Sequence, residues 1–252
     1  RLSQLRLSLE TGISTRHISF VENGRSTPSP MMVNSLCEAL SVPARMRNRI
    51  YLAAGHAPPY RHTSLEAEGM VSALRAMRLI LRGNEPFAAV AFDRNWDILM
   101  VNDAYRDWLR ASLPADIAPY ALTGGPRPNL LRLLVGDIGF RERLIDWPIV
   151  ANAVLSRARK EIEHDPDPAR RALFDEVFEQ FNAMRQGLPR LKEPPLEPIM
   201  TIQALVNGRP VRLFNTLTTL GGAIDITLRE LRIELFHPAD DETKIFLGHP
   251  TD

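Results

Sequence analysis

The sequence predicts two domains of different class, an all-α domain followed by an α+β domain built on an antiparallel sheet. Two observations lead there. Residues 1–57 carry short helical patterns, each opened by a hydroxyl residue or a proline and closed by a small residue. Beyond the break "GHAPPY" the texture changes to short apolar runs with turn signals, separated by longer helical stretches. A chain of 252 residues, 44% hydrophobic and 24% charged, is long enough for two modest folded domains.

The first helix starts near Ser3, whose hydroxyl suits an N-cap, and stops at Gly12, a good helix C-terminal residue. A second runs from Ser14 to Gly24. The third follows "TPSP", with Pro30 in its first turn, and a fourth lies between Pro43 and Gly55. The double proline in "GHAPPY" sets the boundary, which makes residues 1–58 and 59–252 the two expected domains.

Residues 65–82 space Leu65, Val71, Leu74, Met77 and Leu81 as one face of an amphipathic helix. Next, "PFAAVAFDRNWDILMVN" predicts two strands around a turn at Asp93–Asn95, with Asn102 capping the helix "DAYRDWLR". Helical stretches follow in "NLLRLLV", in "WPIVANAVLSRARKEIE" and from about Pro168 to Arg185. The run "IMTIQALVNGRPVRLFNTLTT" alternates on both sides of Asn207-Gly208, which predicts a hairpin. "LRIELFHP" supplies one more strand. The acidic "HPADDET" that follows reads as a loop entering a helix cap.

Composition excludes several classes. The single cysteine, Cys37, rules out an internal disulfide framework and a cysteine-built zinc site, and it fits a reducing compartment, so the cytoplasm is the expected location. No apolar run approaches the roughly 20 residues that span a bilayer. The chain opens inside a helical pattern and without Met, so residues preceding Arg1 are expected to be missing. Charge is uneven. Residues 1–60 hold seven arginines against three glutamates, a local charge of +4, while the remainder carries 24 basic and 27 acidic residues. A polyanion partner is therefore expected for the front domain alone.

Two helices joined by a tight turn form a helix-turn-helix unit, and "GISTRHISFVENGRSTPS" meets its requirements. Ser8 is small where the helices cross, Gly12 tolerates positive φ in the turn, and Leu7, Ile13, Ile18 and Val21 are inward anchors. Thr15, Arg16, His17, Ser19 and Asn23 are left outward on the second helix, able to reach base edges and phosphates in a major groove. Gln4, at the start of the preceding helix, and Arg25, just past the second, suit phosphate contacts.

With those residues in place, "LSQLRLSLETGISTRHISFVENGRSTPS" resembles the Xre group of lambda-repressor-like DNA-binding domains. More narrowly, "STRHISFVENGRSTPS" followed by "YLAAGHAP" resembles MmyB-like transcriptional regulators. The similarity continues through "AVAFDRNWDILMVNDAY", "GGPRPNLLRLL" and "LRELRIELFHPADDET". The resemblance implies a five-helix, all-α lambda-repressor-like helix-turn-helix domain followed by an α+β PAS-like domain with antiparallel sheet. It also implies a hydrophobic, fatty-acyl-type ligand in the second domain. The first helix of the family's DNA-binding domain is expected to be largely absent here, and Ser8 stands where alanine is more usual.

A sheet covered by helices on one face can enclose a pocket. Its candidate walls are Val90, Phe92, Trp96, Ile98, Met100, Leu134, Trp147, Val154 and Phe214, residues that would equally serve as plain core. Asn102 is a further candidate, although helix capping accounts for it. Arg94 or Arg132 could hold a carboxylate head group. A flavin-adduct photosensor is not expected, because Cys37 is in the front domain. Haem would need an axial ligand, and His164, His237 and His249 stand isolated; no metal-ligand cluster is present. No catalytic motif is found, neither a nucleophile elbow nor a phosphate-binding glycine loop, so no enzyme is expected. The expected protein is a homodimeric, ligand-responsive regulator bound to a near-palindromic double-stranded operator, with no cofactor beyond a bound fatty acid or similar apolar molecule. The alternative is a DNA-binding protein whose second domain is only a dimerisation or protein-interaction platform.

Overall fold

A computed structural model of the chain describes residues 2–113, 125, 127–136, 140–163, 165, 167–186, 201–220 and 225–248. The chain divides into two compact units. One comprises residues 1–70 together with 221–229, and the other residues 71–220 with 230–252. The division thus falls at Met70/Val71, twelve residues beyond the expected 58/59 boundary, and a late segment rejoins the helical unit. His164 and His249 lie outside the described residues.

The helical unit begins with α1 (Gln4–Thr11), α2 (Thr15–Glu22), α3 (Pro30–Ala39) and α4 (Ala44–Ala53). The hydroxyls of Ser3, Ser14 and Ser29 each accept a backbone N–H three residues on, satisfying donors that a helix start leaves unpaired. Gly12 closes α1 at φ +71°, its N–H bonded to the Ser8 carbonyl at 2.9 Å. Leu7, Ile18, Met32, Val33, Cys37 and Tyr51 are the buried apolar residues of these helices. Beyond α4 the chain folds back on itself. Asn48 both donates to the Tyr60 carbonyl (2.7 Å) and accepts from the Tyr60 N–H (3.1 Å).

The late segment that returns to this unit carries a short helix, Ile226–Glu230 (α10 in chain order). The Thr63 hydroxyl donates to the Asp225 carboxylate at 2.6 Å, and the Thr227 hydroxyl donates to the Thr63 carbonyl at 2.7 Å. Ile226 N–H bonds the Arg61 carbonyl at 2.8 Å, and the Arg229 guanidinium lies 4.6 Å from the Tyr60 ring centroid. Residues 60–63 are therefore clasped by 225–229. Here the structure departs from the amphipathic helix expected from Leu65. A 3-10 turn occupies Glu68–Met70, and α5 begins only at Val71 and runs to Gly83.

The second unit continues with β1 (Ala89–Phe92), β2 (Ile98–Val101), α6 (Asp103–Ser112), α7 (Leu130–Val135), α8 (Trp147–Ile162) and α9 (Pro168–Met184). After them come β3 (Thr201–Val206), β4 (Arg209–Thr218), β5 (Arg232–Pro238) and α11 (Asp241–Phe246). The strands form one five-stranded antiparallel sheet in the order β2-β1-β5-β4-β3, the PAS-like arrangement expected from strands at both ends and helices between. The β3–β4 hairpin turns on Asn207 (φ +51°) and Gly208 (φ +77°), the paired positive φ that Asn-Gly accommodates. The β3 edge is partly covered, since Ile145 donates to Gln203 and Leu205 to Arg143 across the edge. One apolar core joins Val90, Phe92, Ile202, Ala204 and Val211 of the sheet to α7, α8 and α9. No helix among the described residues is long and apolar enough to cross a membrane.

Candidate functional site

The helical unit leaves one face of α2 open to solvent. Ile18, 2% exposed, pins the helix inward, while Thr15, Arg16 and His17 are exposed at its N-terminal half, as is Arg25 beyond its end. Arg16 is held by its own helix, the guanidinium 5.3 Å from the Phe20 ring one turn on. Asn23 folds back, donating to the Ser19 carbonyl at 2.7 Å and to the Ser19 hydroxyl at 3.3 Å. Gln4 also has a partner, its amide donating to Glu22 at 2.5 Å and tying the start of α1 to the end of α2. Gln4, Thr15, Arg16, His17, Asn23 and Arg25 of the expected set are thus exposed and Ser19 is half-buried, with Gln4, Ser19 and Asn23 also hydrogen-bonded within the motif.

The second unit forms a partly open cavity of about 190 Å³ between the sheet and the helices. Its apolar walls are Tyr105 and Trp108 of α6, Leu134 of α7, Val150 and Val154 of α8, Ile202 of β3, Leu213 of β4 and Phe236 of β5, with Phe140 and Leu144 from the connection. Three polar side chains join them: Arg157 of α8, Asn215 of β4 and Glu234 of β5. Trp96 closes the polar end. Its backbone adopts φ +66°, a region that costs a non-glycine residue about 1–2 kcal/mol. The surrounding bonds hold it there. Asp93 accepts from the N–H groups of Asn95 and Asp97, the Trp96 carbonyl accepts from Leu130 N–H, and Asn129 donates to Asn95 and Asp97. The ring so placed stacks on Phe92 at 4.9 Å, and the Arg157 guanidinium covers it at 4.7 Å. Burial pushes the Glu234 carboxyl above its ordinary value, against the pull of Arg157 and the Asn215 hydrogen bond. Burial likewise drives the Tyr105 phenol well up, with Glu234 adding to the effect.

Residues 73–248 match the family described as the MmyB-like transcription regulator ligand binding domain, well over half of the chain. This chain belongs to the MmyB-like transcription regulators. Residues 1–45 match the helix-turn-helix family, so the chain is a DNA-binding regulator that carries a ligand-binding domain. No curated protein matches the sequence. Among solved structures, the PAS domain of BvgS from Bordetella pertussis is similar at 13% identity and a TM-score of 0.28, over 71% of this chain and 93% of that one. A likeness that slight decides nothing about the present chain.

In this MmyB-like chain the expected wall residues separate into groups. Trp96, Leu134 and Val154 line the cavity. Val90, Phe92, Ile98 and Trp147 are buried core outside the lining, and the Trp147 indole donates to the Leu134 carbonyl at 2.7 Å. Met100 and Phe214 are half-buried strand residues outside it, Leu213 facing the cavity in place of its neighbour Phe214. Asn102 is a helix cap, accepting from Tyr105 N–H at 3.0 Å. Arg94 is outside the lining and engaged by Asp165 at 2.6 Å, with Asp167 and Glu230 nearby. Arg132, also outside, pairs with Glu176 at 2.7 Å. Both arginines are ion-paired on the structure. Among the cavity residues not foreseen are Tyr105, Trp108, Arg157, Asn215, Glu234 and Phe236. A signal was there: alternate positions of a strand share a face, so Glu234 in "RIELFHP" sits on the same side as Phe236.

Proposed function

We propose that this regulator binds a near-palindromic DNA operator as a homodimer in the cytoplasm, and that a small ligand of fatty-acyl type in its PAS-like domain controls that binding. On this reading it performs no catalytic step and needs no cofactor other than the ligand. The observation that carries the ligand is the cavity: apolar walls from six elements with a small polar cluster at one end, the usual make-up of a small-molecule site. Its volume of about 190 Å³ lies below the roughly 300–1,000 Å³ of drug-sized sites, which favours a short or medium acyl chain such as a fatty acid or a close relative. Exposed Thr15, Arg16 and His17 support major-groove reading, and one short helix reads few bases, which favours paired half-sites. Exposed Val71 and Leu79 on α5 offer apolar area that a second copy would cover. The ligand acts only if it binds two arrangements of the protein unequally.

Mass spectrometry of the natively purified protein, followed by denaturation and extraction, tests the ligand. The expected result is a stoichiometric acyl compound whose removal changes operator affinity. Protein that carries no small molecule, binds no acyl compound and holds its operator regardless would leave the domain as a platform.

A further inference from the structure

The polar groups of the cavity meet at one place. Arg157 Nη2 lies 4.0 Å from Glu234 Oε1, and the Asn215 amide donates to that same carboxylate oxygen. Among the cavity-lining residues Arg157 is the only base and Glu234 the only acid. Arg157 Nε and Nη2, on the edge of the guanidinium that grips planar acceptors two at a time, are buried without a hydrogen-bond partner among the described residues. Trp96 Nε1, on the ring that the Arg157 guanidinium covers, is in the same condition. A buried donor left unpaired is costly, so this end of the cavity calls for acceptor oxygen.

The balance of charge limits what that oxygen can belong to. An unpaired arginine would welcome a carboxylate, but here the cation already faces an anion across low-dielectric surroundings. A ligand carboxylate would stand against Glu234, and two carboxylates in one site cannot both stay ionised without a large penalty. A neutral group with a carbonyl beside an N–H satisfies both sides. Its oxygen accepts from Arg157 or an indole, its N–H donates to Glu234, and no net charge is added.

We infer that the Arg157–Glu234 end of the cavity selects an uncharged acyl amide, a carbonyl acceptor next to an N–H donor, over the free fatty acid. The inference rests on the reading of this cavity as an acyl site and specifies its head group.

The test uses octanamide and octanoate, equal in chain length, in calorimetric titrations of the full chain freed of bound lipid. At about pH 7.5 the free acid is ionised. Octanamide is expected to bind at least about tenfold more tightly. Glu234→Gln removes the anion, leaves Arg157 unbalanced, and should reverse the order in favour of octanoate. Arg157→Gln, which does not depend on the first variant folding, should widen the preference for octanamide. Tighter octanoate binding by the unaltered protein, or an unchanged preference in a folded Glu234→Gln protein, overturns the inference while leaving the acyl site intact. Binding of neither probe overturns both.

Discussion

Asn102 is the most demanding residue of the sensing unit, and replacing it with alanine gives a sharp test. It is 3% exposed, and its side-chain oxygen accepts from Ala89 N–H (2.9 Å) on β1 and Tyr105 N–H (3.0 Å) on α6. Its amide donates to the carbonyls of Phe87 and Leu81, which also accept from Asn84. In Asn102→Ala those two carbonyls keep a partner, but the Ala89 and Tyr105 N–H groups lose theirs. Loss of the helix cap costs about 1 kcal/mol. The stranded Ala89 N–H adds about 1–3 kcal/mol, for a total near 2–4 kcal/mol. Trp96, Trp108 and Trp147, the only tryptophans of the chain, all lie in the sensing unit, so indole fluorescence during urea unfolding reports on it selectively. With a slope of about 2 kcal/mol per molar urea, the midpoint should fall by roughly 1–2 M at unchanged slope. Asn102→Asp retains the acceptor and should fall less. A midpoint within about 0.2 M of the original, together with weakened ligand binding, would refute the reasoning and make Asn102 a ligand contact.

Arg16→Ala should weaken operator binding and reduce discrimination by about 1–3 kcal/mol if the guanidinium reads a base; equal affinity and unchanged sequence preference in a gel-shift series would remove it from the reading set. Gly12→Ala should destabilise the helical unit by about 1–2 kcal/mol in thermal unfolding followed by circular dichroism. No atom lies within 4 Å of the added methyl group, so the cost comes from φ +71° alone, and Gly12→Asn should recover part of it. Asp165 supplies a pH dependence. Burial raises its carboxyl, but the Asp167 N–H and the bonds from Arg94 and Arg170 outweigh that and hold it below its ordinary value. A depressed folded value stabilises above the unfolded one and is lost as pH falls through it. Stability of the sensing unit should therefore fall as pH drops below the ordinary aspartate value of about 4. Asp165→Asn should flatten that drop, and an identical pH profile in both proteins would contradict the assignment.

Local chemistry was legible where one residue type has one use. Ser3 caps a helix, Ser14 opens the next, Pro30 stands in the first turn of a third, Gly12 ends one at positive φ, and Asn207-Gly208 turns the hairpin, all decided by neighbours in sequence. The start of α5 was not legible. Residues 65–70 have a helical pattern, yet the clasp on residues 60–63 comes from chain more than 160 residues away, and no local signal announces it. The outward face of α2 could be read from helical spacing, but the tie between Gln4 and Glu22 joins two helices and needed their geometry. In the cavity, sequence singled out apolar strand residues without deciding which face each would take. A one-residue shift separates Phe214 from the lining residue Leu213. Arg94 and Arg132 looked available for a head group because their partners, Asp165 and Glu176, lie far along the chain. Trp96 is the case where local preference fails outright, a bulky residue at positive φ held by bonds that Asn129 completes from another helix start.

The clasp formed by residues 225–229 has a bearing on how such proteins can be rearranged by recombination. It lies between two neighbouring strands of the sheet, yet its bonds go to residues 60–63 of the helical unit. A single crossover near residue 70 would give the new partner a reading head deprived of Asp225 and Thr227. The sensing module left behind would carry a peptide with nothing to hold. Exchange of intact modules takes two crossovers in register, so the reading head and the sensor of such a chain should be inherited as one block.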